Sequence, residues 1–217
     1  MAAFEWANSP GPVRSNIVEA QGSAWDRLAA PGARWSGSQR VAIAAEARQA
    51  QPVAGQAEAV HGALPAHAIE AVRRIALDAH RIDRDWAERM VSALGDAAYV
   101  ELVALTVQVT AIDAFAQALG VAEEPLPEPR PGEPGGMRPE GLGDIGAFVP
   151  CLLAAPGPNV GRALSLAPRD NQTFFELVGS MYAMSDFMEL VWKDRPLSRP
   201  QVELVAARVS AINECFY

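Results

Sequence analysis

Two side chains near the carboxyl end of this sequence are of types that do chemistry together. They are the carboxylate of Glu203 and the thiol of Cys215, which lie twelve positions apart. A thiol is a nucleophile only as its thiolate, so its pKa decides whether it reacts. Free backbone N–H groups at the start of a helix lower that pKa. The helices on either side of Cys215 therefore decide what its thiol does.

A helix is predicted to carry Glu203 and to end just before Cys215. Ser198 and Gln201 have the spacing of a capping box, and an apolar run follows them as far as position 212. Asn213 accepts the left-handed backbone conformation and is the predicted stop. A second helix is then expected to begin at Cys215, where the helix dipole favours a reactive thiol.

This segment resembles the redox branch of the carboxymuconolactone decarboxylase and alkylhydroperoxidase D family. The order Asn-Glu-Cys-Phe-Tyr at 213–217 is typical of that family, and its glutamate precedes its first cysteine by the same twelve positions. The family motif continues as Cys-x-x-Cys and then x-x-x-His. Its second cysteine would directly follow Tyr217, and its histidine would lie four residues further on. The resemblance therefore covers the motif as far as Cys215.

The resemblance implies a thiol peroxidase that needs no cofactor and no metal. In the family, the glutamate orients or deprotonates the histidine, directly or through water, and the histidine takes the proton of one cysteine. That thiolate attacks the peroxide, and the other cysteine resolves the sulfenic acid into a disulfide. Glu203 and Cys215 are therefore the expected catalytic residues, with Cys215 in the resolving position. A hydroperoxide and a thiol or dithiol reductant are the expected partners.

Simpler interpretations of the same residues stay open. Glu203 has the position of a solvent-exposed carboxylate that the helix dipole favours, and Cys215 that of an inert or merely oxidisable thiol. Two other functions also fit the family resemblance. One is the lyase branch, which decarboxylates a lactone without a redox cysteine pair, although the sequence around Cys215 is typical of the redox branch. The other is a helical assembly protein that keeps the fold without the chemistry.

Composition favours helices and excludes some partners. Half of the residues are hydrophobic, alanine-rich segments dominate, and the alternation of valine, isoleucine and threonine that strands need is almost absent, so we predict an all-α protein. The net charge of −8 leaves no basic face for nucleic acid or an anionic membrane. No secretion signal and no apolar run of transmembrane length is recognised, so a cytoplasmic location is expected.

Two ordered matches suggest an internal duplication. Residues 100–104 and 202–206 are both Val-Glu-Leu-Val-Ala, and Val-Thr-Ala-Ile-Asp at 109–113 matches Val-Ser-Ala-Ile-Asn at 209–213 with a shift of two. Helices rich in valine, leucine and alanine also coincide by chance, but the order and spacing of both matches favour two related units. Asp113 stands where the motif would place its first thiol, so the first unit is expected to be chemically silent. By the resemblance, such a chain is expected to form a homo-oligomer.

The predicted organisation has four parts. Residues 1–34 form a loosely ordered arm, 35–120 the first helical unit, 121–158 a linker, and 159–217 the second unit with the partial motif. Nine of the 17 prolines fall within the linker, so no regular helix is expected there. Ser36 and Gln39 predict a capping box at the start of the first unit. Cys151, inside the linker, is expected to be a small buried hydrophobe.

The histidines offer no predicted partner for the thiol. His61 and His67 flank a polar connection, and His80 lies in a segment that resembles family members. A solvent-facing or capping role is the preferred interpretation of His80, because nothing in the sequence ties it to Cys215. The sequence contains neither a cysteine and histidine cluster with metal-ligand spacing nor a glycine-rich phosphate loop before a helix.

Overall fold

The computed structural model describes Phe4, Trp6 and residues 8–51, 64–154, 159–182 and 196–215. Most of these residues are helical, which confirms the predicted all-α class. The helices are α1 (Ser15–Ala29), α2 (Gly37–Ala50), α3 (Ala66–Asp78), α4 (Arg84–Leu94), α5 (Asp96–Leu119), α6 (Asn159–Arg162), α7 (Pro168–Met181) and α8 (Arg199–Ile212). A 3-10 turn, Ala79–Arg81, follows α3. Strands β1 (Leu142–Gly143) and β2 (Cys151–Leu152) pair antiparallel, with Leu142 opposite Leu152.

Helix α5 is the centre of the bundle. It packs against α1, α2, α3, α4 and α7, and its buried residues lie on most of its faces. The expectation that no apolar run reaches transmembrane length is wrong for this helix, which is long and apolar enough by length and composition. The buried core helix of a bundle has the same composition, because it too has few faces exposed to water. A glycine directly after this apolar run predicts the end of the helix, and Gly120 does end α5 in the left-handed conformation.

Helix α1 corrects the prediction of a loosely ordered arm. Ile17, Gln21, Ala24, Trp25 and Leu28 form its buried face at helical spacing. Phe4 and Trp6 are buried against this helix, and the rings of Phe4 and Trp25 lie 5.3 Å apart, edge to face. The predicted arm was therefore wrong for residues 15–29, which belong to the hydrophobic core.

The proline-rich segment contains no helix, as predicted, and it lies on the helices. Between Val121 and residue 154 the described structure is extended or irregular apart from β1 and β2. The indole N–H of Trp25 donates to the carbonyl of Pro125 at 2.9 Å, and the backbone N–H of Arg130 donates to Ala29 at 2.8 Å. Cys151 is buried, as expected, and burial raises the pKa of its thiol.

The helices that carry the repeated pentapeptide lie in different environments. In α5 the glutamate of the repeat, Glu101, is fully buried, whereas in α8 its counterpart Glu203 is partly exposed. None of the residues of α8 is buried, and the main helix contacts among the described residues do not involve it. A division of the chain into two related units therefore stays a prediction.

The capping box at the start of α2 gives a first stability prediction. The Ser36 side chain accepts a hydrogen bond from the backbone N–H of Gln39, and the Ser36 backbone N–H donates to the Gln39 side chain at 3.0 Å. We expect Ser36→Ala to lower the free energy of unfolding by about 1 kcal/mol in urea denaturation. Ser92→Ala, at an exposed position in the last turn of α4, is the control and should change it by less than about 0.5 kcal/mol. Equal effects would contradict the cap.

Candidate functional site

Glu203 lies early in α8, on the side of the helix that meets the end of α7. The Tyr182 hydroxyl donates a hydrogen bond to the Glu203 carboxylate at 3.3 Å, and Arg199 lies 3.6 Å away in the preceding turn. Helix α8 itself begins as predicted, because the Ser198 backbone N–H donates to the Gln201 side chain at 2.8 Å. The carboxylate is therefore held by a phenol and a cation but keeps access to solvent.

Cys215 lies just beyond α8 in a tight turn. Its backbone N–H donates to the carbonyl of Ser210 at 2.9 Å, and Glu214 adopts the left-handed conformation with φ of 53°. The prediction that Asn213 takes this conformation is wrong by one residue, because Asn213 is the C-cap and keeps a φ of −83°. The left-handed residue of such a turn follows the C-cap. The thiol of Cys215 is free and exposed.

His80 is the residue that the sequence did not connect to this site. It lies in the 3-10 turn after α3, and its Nε2 atom is 3.2 Å from a carboxylate oxygen of Glu214. Glu214 is the direct neighbour of Cys215. The structure therefore brings a histidine from the first half of the chain to the turn that carries the thiol.

The structure does not bring Glu203 and Cys215 into contact. Glu203 is separated from Ile212, the last residue of α8, by nine residues at a rise of about 1.5 Å each, which is about 13 Å, and Cys215 lies beyond Ile212. This distance excludes direct proton transfer between carboxylate and thiol. Any coupling between them needs a group that lies between the two ends of the helix.

A second group of charges is buried in the bundle. The Arg40 guanidinium lies 2.5 Å from Glu101 and 2.7 Å from Asp170, so that it joins α2, α5 and α7. Burial opposes the charge of Arg40, but the carboxylates of Asp170 and Glu101 outweigh it and raise the arginine pKa. Burial also raises the pKa of Glu101, with a further contribution from the negative charge of Asp170. Asp170 lies in the first turn of α7, where an acidic residue near the sequence Ala167-Pro168 predicts a helix start, and its carboxylate is an ion-pair partner of Arg40.

The loop before α2 closes over this cluster. The backbone N–H of Arg34 donates to the Glu101 carboxylate at 2.7 Å. Gly32 approaches so closely that a Cβ atom there would overlap the side chains of Glu101 and Arg40. A cleft of about 70 Å³ borders Gly32, Arg40 and Asp170. A further ion pair at the edge of this cleft joins two helices. Arg27 of α1 lies 2.6 Å from Glu176 of α7.

The position that the predicted duplication pairs with Cys215 is occupied by a buried ion pair. Asp113 lies twelve positions after Glu101, as Cys215 does after Glu203. Its carboxylate accepts two hydrogen bonds from Arg48, at 2.7 and 2.9 Å. Burial raises the pKa of Asp113, and the bonds from Arg48 oppose that rise. This arrangement is structural, because both carboxylate oxygens are taken by one arginine.

Comparisons with protein-family models, with curated proteins and with solved structures find no match to this chain. Among the described residues, no three or more His, Cys, Asp or Glu side chains are placed together so that they could hold a metal ion. The proposed function therefore rests on the resemblance of residues 203–217 to the family motif and on the geometry of this chain. The two features that bear on it are the carboxylate and thiol at opposite ends of α8 and the histidine beside the turn.

Proposed function

We propose that this chain carries part of an alkylhydroperoxidase-like thiol peroxidase, with Glu203 and Cys215 in its active site. The observation that carries the proposal is the family spacing of these residues on α8, with the carboxylate held near one end and an exposed thiol at the other. The hydrogen bond from Tyr182 supports it, because a carboxylate held in one position can orient a neighbouring group.

The family motif implies a relay through a histidine. A helix that began at Cys215 and ran back along α8 would return by about 10 Å over seven residues. The family histidine would occupy that seventh position, between the thiols and the long side chain of Glu203. A proton then moves from a thiol to the histidine, while Glu203 orients the ring and stabilises its charge.

The proposed reaction uses two thiols and one hydroperoxide. A thiolate attacks the terminal peroxide oxygen, the O–O bond breaks, and the alkoxide takes a proton to leave as the alcohol. The sulfenic acid then reacts with the Cys215 thiol and releases water as the disulfide forms. A dithiol reductant returns both cysteines to thiols and is itself oxidised to a disulfide. Two electrons pass to the peroxide in each turnover.

The test is disulfide formation at Cys215. We expect a chain extended past Tyr217 by the family's Cys-x-x-x-His to lose two hydrogens, by mass spectrometry, after one equivalent of hydroperoxide. The cross-link should join Cys215 to the added cysteine, since Cys151 is buried. Cys215→Ser in the same chain should give the sulfenic acid or higher oxides instead. A cross-link that survives this substitution would remove Cys215 from the proposal.

A second candidate is a helical assembly protein of the same fold, and the surface of α8 favours it. Leu204, Val205, Val209 and Ile212 are all at least half exposed. Such apolar surface is typical of association sites. On this proposal two copies or two related units associate through α8, and the extended chain forms no disulfide on the peroxide treatment described above.

A further inference from the structure

We propose that His80 is a positioning residue that binds Glu214 and thereby fixes the turn that presents Cys215. The inference rests on the proposed function only in taking Cys215 as the reacting thiol. It rests otherwise on the contact of 3.2 Å between His80 Nε2 and the Glu214 carboxylate and on the backbone of the turn.

The turn is one that glutamate does not favour by itself. Glycine is the usual residue with positive φ after a helix, because a Cβ atom crowds the backbone in the left-handed region. Glu214 holds a φ of 53° there, and the Cys215 N–H donates to the carbonyl of Ser210 across the turn. A contact made by its side chain can compensate for this cost.

His80 is anchored well enough to supply that contact. It follows α3 directly, and Ala68, Ala71 and Val72 of α3 are completely buried in the core. Helix α8, in contrast, has no buried residue of its own. Its side chains meet the rest of the described bundle near its start, through Glu203 and Tyr182, and at its end, through Glu214 and His80. The contact between Glu214 and His80 therefore positions the end of α8.

The position of the Glu214 carboxylate also matters for the neighbouring thiol. A negative charge beside a cysteine disfavours the thiolate, and a charge partner for the carboxylate relieves that effect. The contact with His80 holds the Glu214 carboxylate towards α3, and a protonated imidazole at this distance offsets its negative charge. His80 is thus expected to affect both the turn and the reactivity of the thiol without touching the reacting atoms.

The first experiment measures amide hydrogen exchange at Cys215, whose N–H is protected by the bond to Ser210. In His80→Leu we expect this amide to exchange about two- to fivefold faster, the size of effect that an exposed charged pair supports. His80→Gln keeps a side-chain N–H donor and should restore most of the protection. His67→Leu, at an exposed position on α3, is the control and should leave the exchange rate unchanged.

The Glu214→Gly variant tests whether His80 acts by stabilising the left-handed turn. Glycine adopts the left-handed conformation without help, so His80→Leu should no longer change the exchange rate in this background. Unchanged exchange at Cys215 in His80→Leu alone would overturn the proposal. An equal effect of His80→Leu with and without Glu214→Gly would overturn it as well, since His80 would then act by another route.

The second experiment measures the rate of disulfide closure in the extended chain after one equivalent of hydroperoxide. We expect His80→Leu to slow closure two- to fivefold and His80→Gln to restore it, whereas a role confined to stability would leave the rate alone. Exchange at the Cys215 amide does not depend on peroxide chemistry. A chain that forms no disulfide but shows the expected exchange pattern would therefore contradict the proposed function and leave the role of His80 in place.

Discussion

Arg40→Met is expected to lower the free energy of unfolding by about 3–5 kcal/mol, as measured by urea denaturation at pH 7. Methionine fills much of the volume of the arginine stem, so the loss comes mainly from charge. Without the guanidinium, the carboxylates of Glu101 and Asp170 remain buried together with no cation between them. The N–H of Arg34 bonds to Glu101 but carries no charge to replace Arg40.

The pH dependence of the free energy of unfolding shows whether the buried carboxylates cause the loss of stability. The pKa of Glu101 is already raised by burial, and removal of Arg40 raises it further because the cation opposes that rise. A carboxyl group whose pKa is higher in the folded state than in the unfolded state stabilises the fold most at pH values below its unfolded-state pKa. This contribution is lost as the pH rises through its folded-state pKa. The deficit of Arg40→Met should therefore be larger at pH 7 than at pH 5.

Arg130→Ala is the matched control. Arg130 lies 3.0 Å from Asp26, but both side chains are more than a third exposed to water. Its removal should cost no more than about 1 kcal/mol and should show little of this pH dependence. If Arg40→Met costs as little as the control, the buried cluster does not hold α2, α5 and α7 together.

The buried cluster also shows what the sequence could not reveal. Arg40, Glu101 and Asp170 are 61 and 69 positions apart along the chain, and no local pattern links them. Charged residues within helices are normally assigned to the solvent face. Only the packing of α2 and α7 on α5 brings the three together. One feature of the sequence did point to a buried charge. Glu101, within the first Val-Glu-Leu-Val-Ala segment, lies in a helix that is apolar on most of its faces.

Local signals predicted local structure well. The capping boxes at Ser36 and Ser198, the left-handed Gly120 and the irregular proline-rich segment depend on neighbouring residues, and the structure confirms each of them. Helix α1 was missed although Ile17, Gln21, Ala24 and Leu28 have helical spacing. The preceding Pro10-Gly11-Pro12 favours irregular structure, which is why an arm was predicted there. The packing of this helix against Phe4 and Trp6 is tertiary and leaves no pattern in the sequence.

The candidate site was predicted only in part, because some of its contacts depend on tertiary packing. The capping signals located α8, but the turn after it was shifted by one residue, since Asn213 was given the position that Glu214 occupies. The contact between His80 and Glu214 spans 134 positions of the chain and depends on how α3 and α8 are placed. The apolar pattern that begins near Asp170 predicts a helix as far as about Val191, and the part of it beyond Tyr182 lies outside the described residues.

Steady-state turnover is the other quantity for which a large effect is expected. A chain that stops at Tyr217 should consume hydroperoxide, with a dithiol reductant, little faster than a free thiol does. The chain extended by Cys-x-x-x-His should be about 10²–10⁴-fold faster, because a positioned base typically contributes that much. We expect no such acceleration from Cys215 alone, since the proposed function gives it the resolving position and most of the length of α8 separates it from Glu203.

Glu203→Gln in the extended chain tests the carboxylate. The amide keeps the size of the side chain and can still accept a hydrogen bond from Tyr182, but it cannot stabilise a charged histidine. We expect the turnover rate to fall at least tenfold. Glu88→Gln is the matched control, because Glu88 also follows an arginine by four positions on a helix surface, with Arg84 at 3.8 Å. A Glu203→Gln chain as fast as the Glu88→Gln chain would leave Glu203 with no part in the chemistry, whereas equal rates for the short and extended chains would place the active site elsewhere.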